Sequence, residues 1–216
     1  MQPKLKPIKH FSISFLIILL LSSSLFFKEK EFLNIWLNQK HHSFPDVFFK
    51  YITLLGSAWF LIPLLLFSLF RSYFLSLVFI VSAFIEFIIV QLILKNGFFS
   101  DVLRPIAYIS ESELLHKVDG VVIHSLHSFP SGHAQTAFLI FTFLTFFCKR
   151  TIFAYFFLFI AVLISLSRVY LLQHFFVDVW FGALIGYSVL VIVFLAFSTW
   201  IKPDSKLTQS HLKLNL

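Results

Sequence analysis

Two short clusters carry residue types that could do chemistry on an anionic ligand. The first is Phe129-Pro130-Ser131-Gly132-His133, directly ahead of an apolar run. Glycine lets a backbone approach a ligand closely, and the free N–H groups at a helix start attract anions. A serine hydroxyl and an imidazole at such a point make a binding cup with a proton donor. The second cluster is Ser167-Arg168, then five residues, His174, three residues, Asp178. On a helix His174 and Asp178 share a face, so the carboxylate can hold one ring nitrogen and leave the other free as base or nucleophile. Arg168 offers a fork matched to phosphate oxygens. Lys95 and Arg104-Pro105 add two further cations. Each cluster also has a plain structural reading: a serine-capped helix start, a snorkelling arginine, an interfacial His–Asp pair, ordinary boundary charges.

The elements that must position these residues are membrane helices. Of 216 residues 59% are hydrophobic and only 12% charged, about half the charged share of a soluble domain. That composition excludes disorder, nucleic-acid modules, disulfide scaffolds and coiled coils. Cys148 is the single cysteine, so neither an internal disulfide nor a cysteine–zinc cluster is available. Six apolar runs approach spanning length: Phe11–Phe27, Ile52–Phe70, Tyr73–Leu94, His133–Cys148, Ile152–Leu172 and Val179–Trp200. The fold class expected is therefore all-α, a six-transmembrane-helix bundle forming one membrane-embedded domain over 1–216. Its core covers about 45–200, and 201–216 form a cytoplasmic tail. The first run reads as an uncleaved anchor, with a signal peptide ending near Ser22-Ser23-Ser24 as the alternative. Segment 28–50 reads as a short interfacial helix, with Phe32, Ile35 and Trp36 at helical spacing.

Charge sets the orientation. The N-terminus, the Arg71 turn, the Lys149–Arg150 turn and the tail together hold nine basic residues against one acid. The segments between, on the other face, hold eight of each. The positive-inside rule puts both termini in the cytoplasm and both chemical clusters on the extracytoplasmic face of a multi-pass protein of the cytoplasmic membrane. Both histidines are then expected at a wet rim. The net charge of +7 is a topology signal, and no nucleic-acid partner is expected.

Pro130-Ser131-Gly132-His133 and Ser167-Arg168…His174…Asp178, in this order and on one face, resemble two signatures of the type 2 phosphatidic acid phosphatase superfamily. Its members are integral-membrane lipid phosphate phosphatases with a haloperoxidase-like site. The third signature, a lysine, six residues and Arg-Pro, departs here: eight residues separate Lys95 from Arg104-Pro105. A frayed helix end with Gly97 as hinge is expected to absorb the two extra residues. The resemblance covers roughly residues 45–200. It implies His174 as nucleophile oriented by Asp178, and His133 as general acid and then base. It further implies Lys95, Arg104, Arg168, Ser131 and the Gly132 amide as phosphate-binding groups, with no metal or other cofactor required.

The partners expected are the bilayer and a lipid with a phosphate or diphosphate at the headgroup plane. Short loops suggest a bacterial enzyme, with undecaprenyl diphosphate as first substrate and phosphatidylglycerol phosphate, phosphatidate or lipid A phosphates as alternatives. A transporter would instead carry ionisable residues at the midplane of several helices. Only Glu86 lies there, about 13 Å below Lys95 on an ideal helix. It is expected to make an interhelical hydrogen bond. A catalytically silent lipid-binding member would have lost a site residue, yet both histidines and both arginines are present. His124 and His127 are expected to shape the headgroup entrance, and Glu111 and Glu113 to be solvated. Gly182 and Gly186 are expected to pack helices within the bundle.

Overall fold

The computed structural model describes residues 5–110 and 114–201. The tail after Ile201, with Lys202, Asp204, Lys206 and Lys213, lies outside the described residues, as do Lys4, Glu111 and Glu113. The described residues form helices and no strand: α1 (Leu5–Ser22, continued as a 3-10 turn to Phe27), α2 (Phe32–Asn38), α3 (Ser43–Ile52), α4 (Leu61–Leu69), α5 (Tyr73–Glu86), α6 (Pro105–Tyr108), α7 (Gly132–Thr145), α8 (Ile152–Tyr170) and α9 (Phe176–Trp200). Four helical segments are long and apolar enough to cross a membrane, or five if a bent pair counts as one span. Three of the six runs expected from sequence differ in form from that expectation.

The second run is broken. Ser43–Gly56 and Ala58–Leu69 meet at 53°, with Ser57 extended between them. Pro63 follows six residues after the break, inside the Ala58–Leu69 segment.

The third run does not fray after Lys95. It continues as a π-helical stretch, Phe87–Phe98, closed by the Phe99 N–H on the Leu94 carbonyl at 2.7 Å. An i→i+5 turn holds more residues than an α-turn, and this takes up the two-residue excess that a hinge at Gly97 was expected to absorb.

The fourth run, α7, has 14 residues, or about 21 Å. Most of its side chains are buried between α8, α9 and α1. A helix sheathed by protein need not match the bilayer thickness.

The core is one apolar cluster drawn from α1, α4, α5, α7, α8 and α9. Phe11, Phe15 and Leu19 of α1 are buried in it, and the Trp180 indole donates to the Leu19 carbonyl at 3.2 Å. Glu86 accepts from the Gln135 amide at 2.9 Å, so the expected interhelical bond is present and ties α5 to α7.

The α7–α9 seam depends on glycine. A Cβ on Gly186 would stand 2.1 Å from the Gln135 carbonyl oxygen, and one on Gly182 2.5 Å from that of Ser131. Backbone cannot retreat as a flexible side chain can, so the pair packs within the bundle. Gly186→Ala is expected to cost at least about 1–3 kcal/mol as overpacking. A lowered melting temperature in detergent checks this, and an unchanged one would contradict the seam.

Candidate active site

The two ends of the bundle differ in character. At one, Arg71, Lys149 and Arg150 surround a shallow hollow, and His10 of α1 bonds the Tyr155 hydroxyl at the start of α8 at 2.8 Å. At the other, a cavity of about 450 Å³ is lined by Lys95, Arg104, Gly132, His133, Arg168 and His174. Six of the eight residues singled out from sequence thus meet at one surface. Gly56, Ala58, Gln91, Val122, His124, Thr136 and Gln173 complete the wall. His124 stands at the cavity edge and, with His127 and Arg104, lines an adjoining outer hollow. Among the described residues no group of three or more His, Cys, Asp or Glu side chains is arranged to hold a metal ion.

Lys95 reaches the cavity despite the longer spacing. A Cβ placed on Gly132 would lie 3.9 Å from its Nζ and 3.5 Å from the Gln91 amide nitrogen. Gly132 therefore begins α7 with its backbone open to whatever occupies the cavity. Ser131 does not line the cavity. It is buried, and its Oγ accepts the Ala134 N–H at 3.4 Å as the N-cap of α7. Its N–H donates to the Asp178 carbonyl at 2.9 Å, locking this helix start against that of α9.

His174 is placed by the way α8 ends. Leu172 takes the left-handed conformation at φ +56°. Its N–H returns to the Val169 carbonyl and that of Gln173 to the Arg168 carbonyl, at 3.2 and 2.9 Å. This is a Schellman reversal, with leucine where glycine is usual, at a cost of about 1–2 kcal/mol. The turn brings His174 back beneath Arg168, whose carbonyl accepts the His174 N–H at 3.1 Å.

The expected wet rim is corrected for this residue: His174 is only 2% exposed. Its Nδ1 lies 3.5 Å from Asp178 Oδ2, longer than a formed hydrogen bond, as often holds in a site without its ligand. Burial pushes the imidazole down to about 3; the nearby Asp178 carboxylate opposes this, while Arg104 and Arg168 add to it. The shift favours the neutral ring, whose second nitrogen is Nε2.

Asp178 lies behind the cavity and does two jobs. Its Oδ2 caps α9 by accepting the Phe175 N–H at 2.9 Å and also accepts the Ser128 hydroxyl at 2.5 Å.

Four positioning contacts were not anticipated from sequence. Asn34 of α2, fully buried, donates to the Val169 and His174 carbonyls at 3.0 and 3.1 Å. Thr53 accepts from Arg168 Nη1 at 2.9 Å. Ser128 holds Asp178 as described, and Gln173 accepts from Arg104 Nη1 at 3.0 Å. An amide directly before a candidate nucleophile in an apolar chain was a readable signal for Gln173. Asn34 and Thr53 lie in segments remote from both motifs, whereas Ser128 directly precedes the first cluster.

The PAP2 superfamily profile matches residues 73–202. The chain belongs to the PAP2 superfamily. Members of this family are lipid phosphatases, and this chain is a phosphoric monoester hydrolase of that kind. Two solved structures resemble it. The crystal structure of LpxE from Aquifex aeolicus is 30% identical, with a TM-score of 0.65 over 74% of this chain and 92% of that one. The first transmembrane PAP2 type phosphatidylglycerolphosphate phosphatase from Bacillus subtilis is 25% identical, with a TM-score of 0.59 over 94% of this chain and 100% of that one. No curated protein matches the chain by sequence.

Proposed function

We propose that the protein removes a phosphate from a membrane lipid phosphate or diphosphate, without a metal, through a phosphohistidine. The observation carrying this reading is the meeting of three cations, the α7 start and two histidines around one cavity. His174 Nε2 attacks phosphorus, and the bond from phosphorus to the lipid oxygen breaks with its electron pair on that oxygen. His133 supplies the proton that the departing oxygen needs. It then takes a proton from water as the water displaces His174, and inorganic phosphate leaves. Lys95, Arg104, Arg168 and the Gly132 N–H hold the non-bridging oxygens, the electrostatic part on which phosphoryl transfer chiefly depends. Ser131 contributes by fixing the start of α7, and Asp178 by orienting the His174 ring.

The basic turns at the far end put that end in the cytoplasm and the cavity on the extracytoplasmic side of the inner membrane. The short α7, surrounded by spanning helices, completes a six-helix topology with the bent pair as the second crossing. Residues 45–200 act as one membrane-embedded catalytic unit. The substrate comes sideways: Gly56, Ala58, Gln91 and Lys95 line the cavity, and Trp59 and Phe98, close to them in sequence, are strongly exposed. Lipid tails fit there while the headgroup lies inside.

Undecaprenyl diphosphate is the substrate we place first. Phosphatidylglycerol phosphate is the second reading, favoured by the likeness to the Bacillus subtilis phosphatase along nearly the whole chain. Phosphate release by purified protein from a panel of these two, phosphatidate and lipid A ranks them. Activity is expected to persist in EDTA and to be blocked by vanadate, which mimics five-coordinate phosphorus. Loss of activity in EDTA with recovery on adding a divalent ion would overturn the side-chain-only site.

A further inference from the structure

Arg104 and Arg168 stand on the same cavity, but their donors are used differently. A guanidinium has five N–H groups. Arg104 gives Nε to the Leu126 carbonyl at 2.8 Å, and Nη1 to both the Gln173 carbonyl and the Gln173 side-chain oxygen, at 3.2 and 3.0 Å. Its Nη2 reaches only the His127 carbonyl, at a long 3.5 Å. Arg168 gives Nη1 to Thr53, while its buried Nε has no hydrogen-bond partner among the described residues. That nitrogen is buried without exposed surface, so it offers the cavity no donor. Arg104 has one nitrogen to offer.

Gln173 fixes Arg104 from one side, through Nη1. It is 1% exposed, and its side-chain nitrogen donates to the Val122 carbonyl at 2.9 Å. That bond fixes which end of the amide faces Arg104, since the flipped amide would set donor against donor. Its own N–H holds the Arg168 carbonyl at 2.9 Å, and the next residue is His174. One residue thus links both arginines, Arg104 through its side chain and Arg168 through its backbone, and adjoins His174 in the chain.

We propose that Gln173 is a positioning residue for phosphate binding: its side-chain oxygen holds Arg104 so that Nη2 is the nitrogen left for the phosphate. The inference rests on the phosphatase reading above. Without the Gln173 acceptor, Arg104 Nη1 keeps only the longer bond to the Gln173 carbonyl, and the guanidinium is held less firmly over the cavity. The loss falls on ground-state and vanadate binding more than on turnover.

The test is a double-mutant cycle on full-length protein in detergent, with vanadate inhibition and KM as readouts. Gln173→Met keeps the bulk and removes the acceptor, and Gln173→Ala is run beside it. Each is expected to weaken vanadate binding and raise KM about tenfold, the scale of one lost hydrogen bond to a charged group. In an Arg104→Ala background the same changes are expected to add almost nothing, because the effect travels through Arg104. Losses that multiply across the cycle, or Gln173 variants that bind vanadate like wild type, would overturn the proposal. So would failure of both variants to fold, which would assign Gln173 to the fold. Wild-type protein that neither releases phosphate nor binds vanadate would instead sink the phosphatase reading itself.

Discussion

His174→Ala is expected to lower phosphate release by about 10⁴-fold or more, the scale seen when a nucleophile is removed from a covalent mechanism. The variant should still fold, although His174 is buried. The nucleophile loop is held by its backbone: the His174 N–H on Arg168, its carbonyl on Asn34, and the Schellman turn at Leu172. None of these bonds uses the ring. The decisive measurement pairs turnover with vanadate binding, since the cations that grip vanadate survive the substitution. Near-normal turnover in a pure preparation would remove His174 from the mechanism. Trapping labelled phosphate on wild type and not on the variant would locate the intermediate.

The second large effect is expected for His133→Ala, a fall of about 10²–10⁴-fold, typical of a lost general acid. Its signature is dependence on the leaving group. A lipid alcohol leaves poorly without a proton, whereas a nitrophenolate needs none. The defect should therefore shrink on an aryl phosphate and persist on a lipid phosphate. An equal loss on both would mean that His133 serves binding or structure. That outcome is physically open, because the His133 carbonyl also packs against Gly56 at the break between α3 and α4.

The parts of this site that were legible in the sequence are local. Ser131-Gly132-His133 and Arg168…His174…Asp178 each lie at one helix end, where spacing alone fixes the shared face. The equal parity of crossings brought the clusters to one surface, and the structure does gather Lys95, Arg104, His133, Arg168 and His174 there. Hydropathy cannot distinguish a straight span from a bent one, since Leu54 and Ile62 are equally apolar on either side of the break at Ser57. The π-helical path from Phe87 to Phe98 leaves no compositional trace at all. Asn34, Thr53 and Gln173 act through hydrogen bonds to residues 135, 115 and 69 positions away in sequence, and periodicity carries no information about such pairs.

The brevity of α7 has a consequence for how deep the chemistry lies. At about 21 Å against an oily slab of about 30 Å, one of its ends must fall short of the boundary. Gly132 and His133 form the end that carries the cavity. If that end is the recessed one, a lipid phosphate would meet the protein without being hoisted toward bulk solvent, and its greasy chains would keep their neighbours. Thickening the bilayer around such a protein would strain the seal at this end first.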